Sequence, residues 1–589
     1  MKQLLISLLL LTSICTIQAQ NKNKWDVNTP PGEYKEIEYT TDEGTWMSLD
    51  VSPDGQEIVF DMMGDIYSIP IAGGIAKVLR QGHAFEVQPR FSPDGGKISF
   101  TSDAGGGDNI WIMNRDGSEA KQVTEEKFRL LNNAVWSPNG EYLVAKKHFS
   151  SQRSLGAGEI WMYHTSGGTG EQLTKRKNDQ QDVGEPSISP NGRYIYYSED
   201  VYPGGYFQYN KDPNSQIYVI NRYDREKGKI ERVTGGPGGA IRPQISHNGK
   251  LMAFVKRVRT KSVLYLHDLQ TGEEWPIYDD LSKDQQEAWA IFGPYTGFNW
   301  TPDDQHIIIY AKGKIRKINV NTTEAVVIPF SVTAKHKITN ALKFENKAFE
   351  TNFTSKAIRN AVTSPNGKQL IFHSAGYLYI KNLPNGKPKR ITNSTDFEYE
   401  PSFSTDGTSI VYVTWNDVNL GAIHTLNLKS GKSKKVTNEK GIFRTPQFSP
   451  NGITIVFQKE SGNSDQGFDF TKETGIYTLP LNGGKMKFIT KSGGFPRFSA
   501  NGKRIFYQSG GYLFGSLKKQ YKSVDLNGAN ERTHFTGDHA NFFIPSPDNK
   551  WIAFMELFKV YIAPMNLNGK SFDLNAKTKA IPVAQVAKD

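Results

Sequence analysis

The side chains able to do chemistry are sparse in this chain and widely separated. Its eleven histidines fall singly, for example at His83, His148, His247, His373 and His424. His534 and His539, with Asp538 between them, come nearest to a metal pair, but they belong to a loop and not to one helical face. No His-Glu-x-x-His, His-x-His or Gly-x-Ser-x-Gly occurs, and no glycine-rich phosphate loop. Asp103 and Asp108 flank Gly105-Gly106-Gly107, a spacing open to a calcium cradle or to aspartates that bond their own turn. Turn chemistry is the simpler reading. The residues therefore predict no catalytic group, no metal site and no cofactor.

The elements that must position any site are set by a repeat. The signature Ser-Pro-Asp/Asn-Gly, followed by an alternating apolar strand, begins at Ser52, Ser92, Ser137, Ser189, Ser364 and Ser449. Degenerate copies begin at Ser246, Trp300, Ser404, Ser499 and Ser546, which brings the total to eleven. Their separation, roughly 40–60 residues, is that of propeller blades. Within the copy from Arg90 to Thr124, a turn at Ser92-Pro93-Asp94-Gly95 leads into Lys97-Ile98-Ser99-Phe100, then Asn109 to Met113, then Ala120 to Thr124. Each unit thus reads as three or four short antiparallel strands, with helix patterns nearly absent. One such sheet cannot bury both faces alone, and radial stacking solves that. The fold class is all-β, two consecutive propellers of about six blades each, the second expected to be incomplete.

The 589-residue chain divides, on this reading, into residues 1–19, a first propeller over 20–330, a linker over 331–360 and a second propeller over 361–589. Lys2, the apolar run Leu4 to Leu11 and Ala19 form a secretory signal, too short and too early for a stable membrane span. The single cysteine, Cys15, lies inside it after Ile14, where a lipobox would need a small residue. The mature chain would then have no disulfide and no thiolate, which suits a bacterial periplasm or a secreted protein. The net charge of +11 is spread through the repeats as surface lysine, not gathered in a basic stripe, and nucleic acid is excluded as a partner.

Ligands of propellers meet the loops that enter the innermost strands. Those positions precede each signature and include His83, Glu86, Glu185, Arg242, Glu398, Glu400 and Arg444. Their mixed charge suits a protein or peptide ligand, or a polar small molecule, better than a lipid. A second candidate contact is the aromatic insertion carrying Tyr202, Tyr206, Phe207 and Tyr209, which could equally fold back on its own blade. Leu281 to Trp300 is a further insertion, read as a cap with a short helix. Tyr34 to Thr41 reads as a strand without a blade, expected to pair with a distant repeat and lock a ring.

The run Pro89-Arg90-Phe91-Ser92-Pro93-Asp94-Gly95, through Phe100-Thr101-Ser102-Asp103 to Asp108-Asn109-Ile110-Trp111, resembles the repeats of the TolB propeller. The tricorn protease and several secreted peptidases carry similar repeats. The opening Gly44 to Gly55, with Phe60-Asp61 and Gly64-Asp65-Ile66-Tyr67, resembles the start of long secreted amidohydrolases, in which a TolB-like region precedes a metal-dependent barrel. These resemblances imply two functions. One is an exported, non-catalytic propeller that binds a protein, peptide or envelope component at a channel mouth. The other is the substrate-gating part of an amidohydrolase whose catalytic domain lies downstream or on a partner. The chain stops at Asp589, where another blade is expected, so it reads as a truncated gene product or as the N-terminal portion of a longer protein.

Overall fold

A computed structural model describes residues 26–127, 130–150, 156–203, 211–340, 350–462, 471, 473–511, 517–567 and 570–588. The signal segment, Cys15 and the aromatic positions Tyr206, Phe207 and Tyr209 lie outside them. The fold is all-β, and the only helical element among the described residues is one 3-10 turn, Pro213–Ser215.

The signature explains why the strands begin where they do. In the first copy the Ser52 hydroxyl donates to Asp54 at 2.6 Å and accepts the Glu57 amide at 2.9 Å. Gly55 closes the turn by donating to the Ser52 carbonyl, at a φ of 71° that glycine adopts without strain. The same hydroxyl bridge recurs in every copy, including Thr301 with Asp303 and Ser546 with Asp548. Most of the glycine turns also lean on a neighbour, so that Gly95 faces Pro53 and Gly55 faces Pro302. Two copies lack the glycine and place Asp304 and Asn549 at a φ of 57° instead. Both recover part of that cost by hooking the preceding turn. Asp304 accepts the amides of His247 and Asn248 at 2.8 and 2.9 Å, and Asn549 accepts that of Ala500 at 2.6 Å.

The described residues fall into two compact units, 26–340 and 350–588. Among its described residues the first unit holds six four-stranded antiparallel sheets in chain order. Their innermost strands are Leu49–Val51, Glu86–Phe91, Leu130–Trp136, Val183–Ile188, Ile241–Ile245 and Asn299–Trp300. Apolar side chains fill the space between successive sheets, as where Val59, Ile66 and Leu79 meet Phe91, Ile98 and Phe100. The ring closes without a shared blade. Tyr34–Thr41 pairs antiparallel with Phe330–Thr339, which also runs parallel to Gly74–Ile75, a short strand lying in sequence between the third and fourth strands of the first sheet. Phe330, Val332 and Ala334 are buried with Leu49, Phe60 and Ile308 of the first and sixth sheets. Tyr34–Thr41 does pair with a distant strand, the one that directly follows the sixth sheet.

The second unit holds five sheets among its described residues, with innermost strands Arg359–Thr363, Phe397–Phe403, Ile442–Phe448, Gly494–Phe498 and Ala540–Pro545.

The hook at Asp304 yields a ranking of variants. Asp304→Ala loses both accepted bonds and keeps the left-handed backbone, so it should destabilise the first unit by about 1–3 kcal/mol. Asp304→Gly loses the same bonds and relieves the backbone, so the expected loss is smaller. Thermal unfolding followed by circular dichroism checks the order of the two.

Candidate functional site: two channel mouths

Nine of the eleven innermost strands among the described residues carry a β-bulge, and the bulge fixes which residue faces the channel. The register shifts between Val87 and Arg90, Asn132 and Val135, Gly184 and Ser187, and Ile241 and Gln244. It shifts likewise at Arg359/Val362, Tyr399/Ser402, Arg444/Gln447, Gly494/Arg497 and Asn541/Ile544. Inside every shift sits one residue four positions before the signature hydroxyl, held at a φ near +50°. In the first unit these are Gln88, Asn133, Glu185 and Arg242, with Ser48 and Gly297 at the same offset in the first and sixth sheets. In the second unit they are Asn360, Glu400, Thr445, Phe495 and Phe542.

The first mouth is filled by the chain itself. The insertion at 281–298 crosses it in irregular backbone, and the short helix expected there does not form. Its carbonyls are taken by the channel donors instead. Phe292 O accepts from Gln88 Nε2 at 2.9 Å, Asn133 Nδ2 at 3.2 Å and Arg242 Nη2 at 3.3 Å. Tyr295 O accepts from Arg242 Nε and Nη2 at 3.0 and 2.5 Å, and Ile291 O accepts from Lys146 at 2.7 Å. Arg257 pins the near end of the cap through Asp284 and Glu287. Glu185 is 0% exposed and accepts the Arg242 amide and the Ser198 hydroxyl at 2.7 and 2.6 Å. What remains beneath the cap is a cavity of about 10 Å³ lined by Ser48, Gln88, Arg90, Asn133 and Arg242, room for one water.

Such enclosure shifts charges. Burial lowers the Arg242 pKa to about 10. It raises that of Asp61, which accepts the Ser48 and Gln88 amides under the same cap, to about 7.

Of the residues singled out in sequence, Glu185 and Arg242 meet in this network. Glu86 is turned instead to Arg80 in a two-pronged ion pair, with bonds of 2.9 and 3.0 Å. His83 stands half-buried in the preceding loop and shares no hydrogen bond with the cluster. Tyr202 is half-buried against the core of its own unit, its amide donating to Asp200 and its carbonyl accepting from Gln181.

In the second unit Glu400 accepts Arg444 at 2.6 and 2.9 Å and the Thr445 amide at 2.5 Å, and Arg444 reaches Glu460 as well. Glu398 lies behind them, buried, bonded to Thr392 Oγ1 and the Leu378 amide, its pKa raised by burial. Phe495 and Phe542 are 45% and 49% exposed and meet edge to face, with centroids 5.9 Å apart. Both were passed over in sequence because the selection followed charge. The constant offset from the signature would have found them, along with Gln88, Asn133, Asn360 and Thr445.

His534 has one ring nitrogen against Ser523 Oγ at 2.8 Å and the other against the Asn566 carbonyl at 2.9 Å. Among the described residues no group of three or more His, Cys, Asp and Glu is placed to hold a metal, and no helix is long and apolar enough to cross a membrane.

The chain is a TolB-like β-propeller repeat protein. The TolB beta propeller domain family matches residues 34–205. The Tol-Pal system protein TolB of Wolinella succinogenes is 27% identical over 175 residues, 29% of this chain and 40% of that protein. An uncharacterized peptidase, YuxL of Bacillus subtilis, is 24% identical over 174 residues, 29% of this chain and 22% of its own length. The chain spans about half or less of the curated relatives it matches. Among solved structures the tricorn protease is similar over 92% of this chain and 63% of its own, at 13% identity and a TM-score of 0.37.

The buried carboxylates set a pH dependence. Asp61 has a folded pKa of about 7 against an ordinary 3.8, and Asp65 and Asp108 are raised to about 6, chiefly by burial. The folded state then binds more protons than the unfolded one across this window, so first-unit stability falls as pH rises from about 4 to about 7. Asp61→Asn is expected to flatten the upper part of that fall, read as unfolding temperature against pH, whatever it does to the absolute value. An unchanged slope would show that Asp61 is ionised throughout.

Proposed function

We propose that this protein is an exported, non-catalytic propeller that binds a protein, peptide or envelope component at the channel mouth of its second unit. One observation carries the reading. The first mouth is occupied by a stretch of polypeptide whose main-chain carbonyls accept from the channel side chains, so a mouth built on this repeat accommodates polypeptide. In the second unit the equivalent positions include the exposed side chains of Asn360, Phe495 and Phe542. Glu400 and Arg444 brace that wall, and Glu86, Glu185 and Arg242 serve the architecture of the first unit. Export rests on Lys2, the run Leu4 to Leu11 and Ala19, and places the mature protein in the periplasm or outside the cell.

The alternative is a gating propeller that delivers substrate to a hydrolase domain downstream or on a partner, and the stretch shared with YuxL favours keeping it. The two separate in one experiment. The purified protein is expected to enrich sequences from a random peptide display library and to leave the enriched peptides and a panel of cyclic amides uncleaved, with or without zinc. An Arg444→Ala variant should enrich at least tenfold less. Absence of enrichment would reject the binding reading, and turnover that survives repurification would reject its non-catalytic part.

A further inference from the structure

The two mouths differ in what the same backbone position carries. The bulge imposes a left-handed φ, which glycine and asparagine tolerate and a bulky aromatic residue adopts only at a cost. In the first unit the four bulge positions hold glutamine, asparagine, glutamate and arginine. In the second unit two adjacent sheets place phenylalanine there, at φ values of 53° and 52°, with nearly half of each ring exposed. Burial does not explain that choice. The rings meet edge to face, an arrangement that leaves ring surface free for a third apolar group. Leu557 and Phe558 extend the apolar surface, because they form the turn at the end of the sheet where Ala540–Pro545 begins, and both are largely exposed.

The first unit shows how a mouth of this construction is filled. Its cap sets one aromatic side chain, Phe292, edge to face on a mouth phenylalanine, Phe85, with centroids 5.8 Å apart. The carbonyl of the same Phe292 accepts from channel side chains at the bulge positions. An aromatic residue is thus read twice, by its ring and by its main chain. The second mouth offers the same pair of features. Phe495 and Phe542 stand where a ring would seat, and Asn360, exposed at the bulge of the first sheet, offers an amide to a main chain.

We infer that Phe495 and Phe542 form an aromatic clamp that selects an extended peptide by one aromatic side chain. The inference rests on the proposed peptide-binding function and adds the chemistry of the residue selected. It assigns Phe495 and Phe542 the specificity and leaves Glu400, Arg444 and Glu460 the task of holding the wall.

Two blocked tripeptides, Ac-Ala-Phe-Ala-amide and Ac-Ala-Ala-Ala-amide, test it by ligand-observed saturation-transfer NMR on the full chain. The phenylalanine peptide is expected to bind at least tenfold more tightly. Phe495→Ala and Phe542→Ala should each bring the two peptides within about twofold of each other. Phe85→Ala, in the first unit, should leave the preference intact. Unfolding temperatures accompany each variant, and Phe542→Leu, which keeps apolar bulk, should retain an intermediate preference if the alanine variants fold poorly. Equal binding of both peptides to the unaltered protein, or a preference that survives both alanine variants, overturns the clamp while peptide binding stands. Binding of neither peptide overturns both.

Discussion

A single hydroxyl organises each repeat. The serine or threonine that opens the signature donates to the aspartate or asparagine two residues on and accepts the amide five residues on, as Ser92 does with Asp94 and Lys97. That bridge closes a tight turn and starts the second strand of a sheet. Counted backwards from the same hydroxyl, it also marks the bulge that turns one side chain towards the channel. Turn, strand register and channel lining are therefore three readings of one local constraint. Because the turns of neighbouring sheets rest on each other, Gly95 on Pro53 and Gly55 on Pro302, the constraint is passed from sheet to sheet around the first unit.

This is why the fold was legible in the sequence and the site only in part. The signature repeats its own chemistry, so sheet succession follows from spacing and alternation alone. The channel lining has no residue type of its own, since its positions carry Ser48, Gln88, Arg242, Gly297, Thr445 and Phe542 alike. A search for charge finds Glu185, Arg242 and Glu400, and also collects Glu86 and Glu398, which lie two residues earlier and face other partners. The cap was legible as an interruption in the repeat, but its conformation was not. A helix would need the carbonyls of Ile291, Phe292 and Tyr295 for its own amides, and here they are spent on Lys146, Gln88, Asn133 and Arg242.

The two units solve the problem of a channel differently. In the first, polar side chains brought close together would be costly without partners, and the cap supplies main-chain carbonyls that satisfy most of them. Asp61 illustrates the residual cost, since its carboxyl is pushed towards the neutral form in spite of two amide donors. In the second, Glu400 and Arg444 satisfy each other, and two of the remaining bulge positions, Phe495 and Phe542, carry apolar rings. One mouth spends its hydrogen-bonding capacity internally, and the other keeps ring surface in contact with water.

The strand pair that closes the first unit has a mechanical consequence. Tyr34 lies opposite Thr339 and Thr41 opposite Val332, so the chain enters and leaves the pair at the same end. Tension between the segment before Tyr34 and the segment after Thr339 would load the bonds one after another and not together. Such a pair peels like a zipper, whereas strands pulled from opposite ends resist as a block. The ring is thus held by a fastening that withstands thermal motion along its whole length and yields readily to a directed pull, which makes the closure the part of the first unit that gives way first under load.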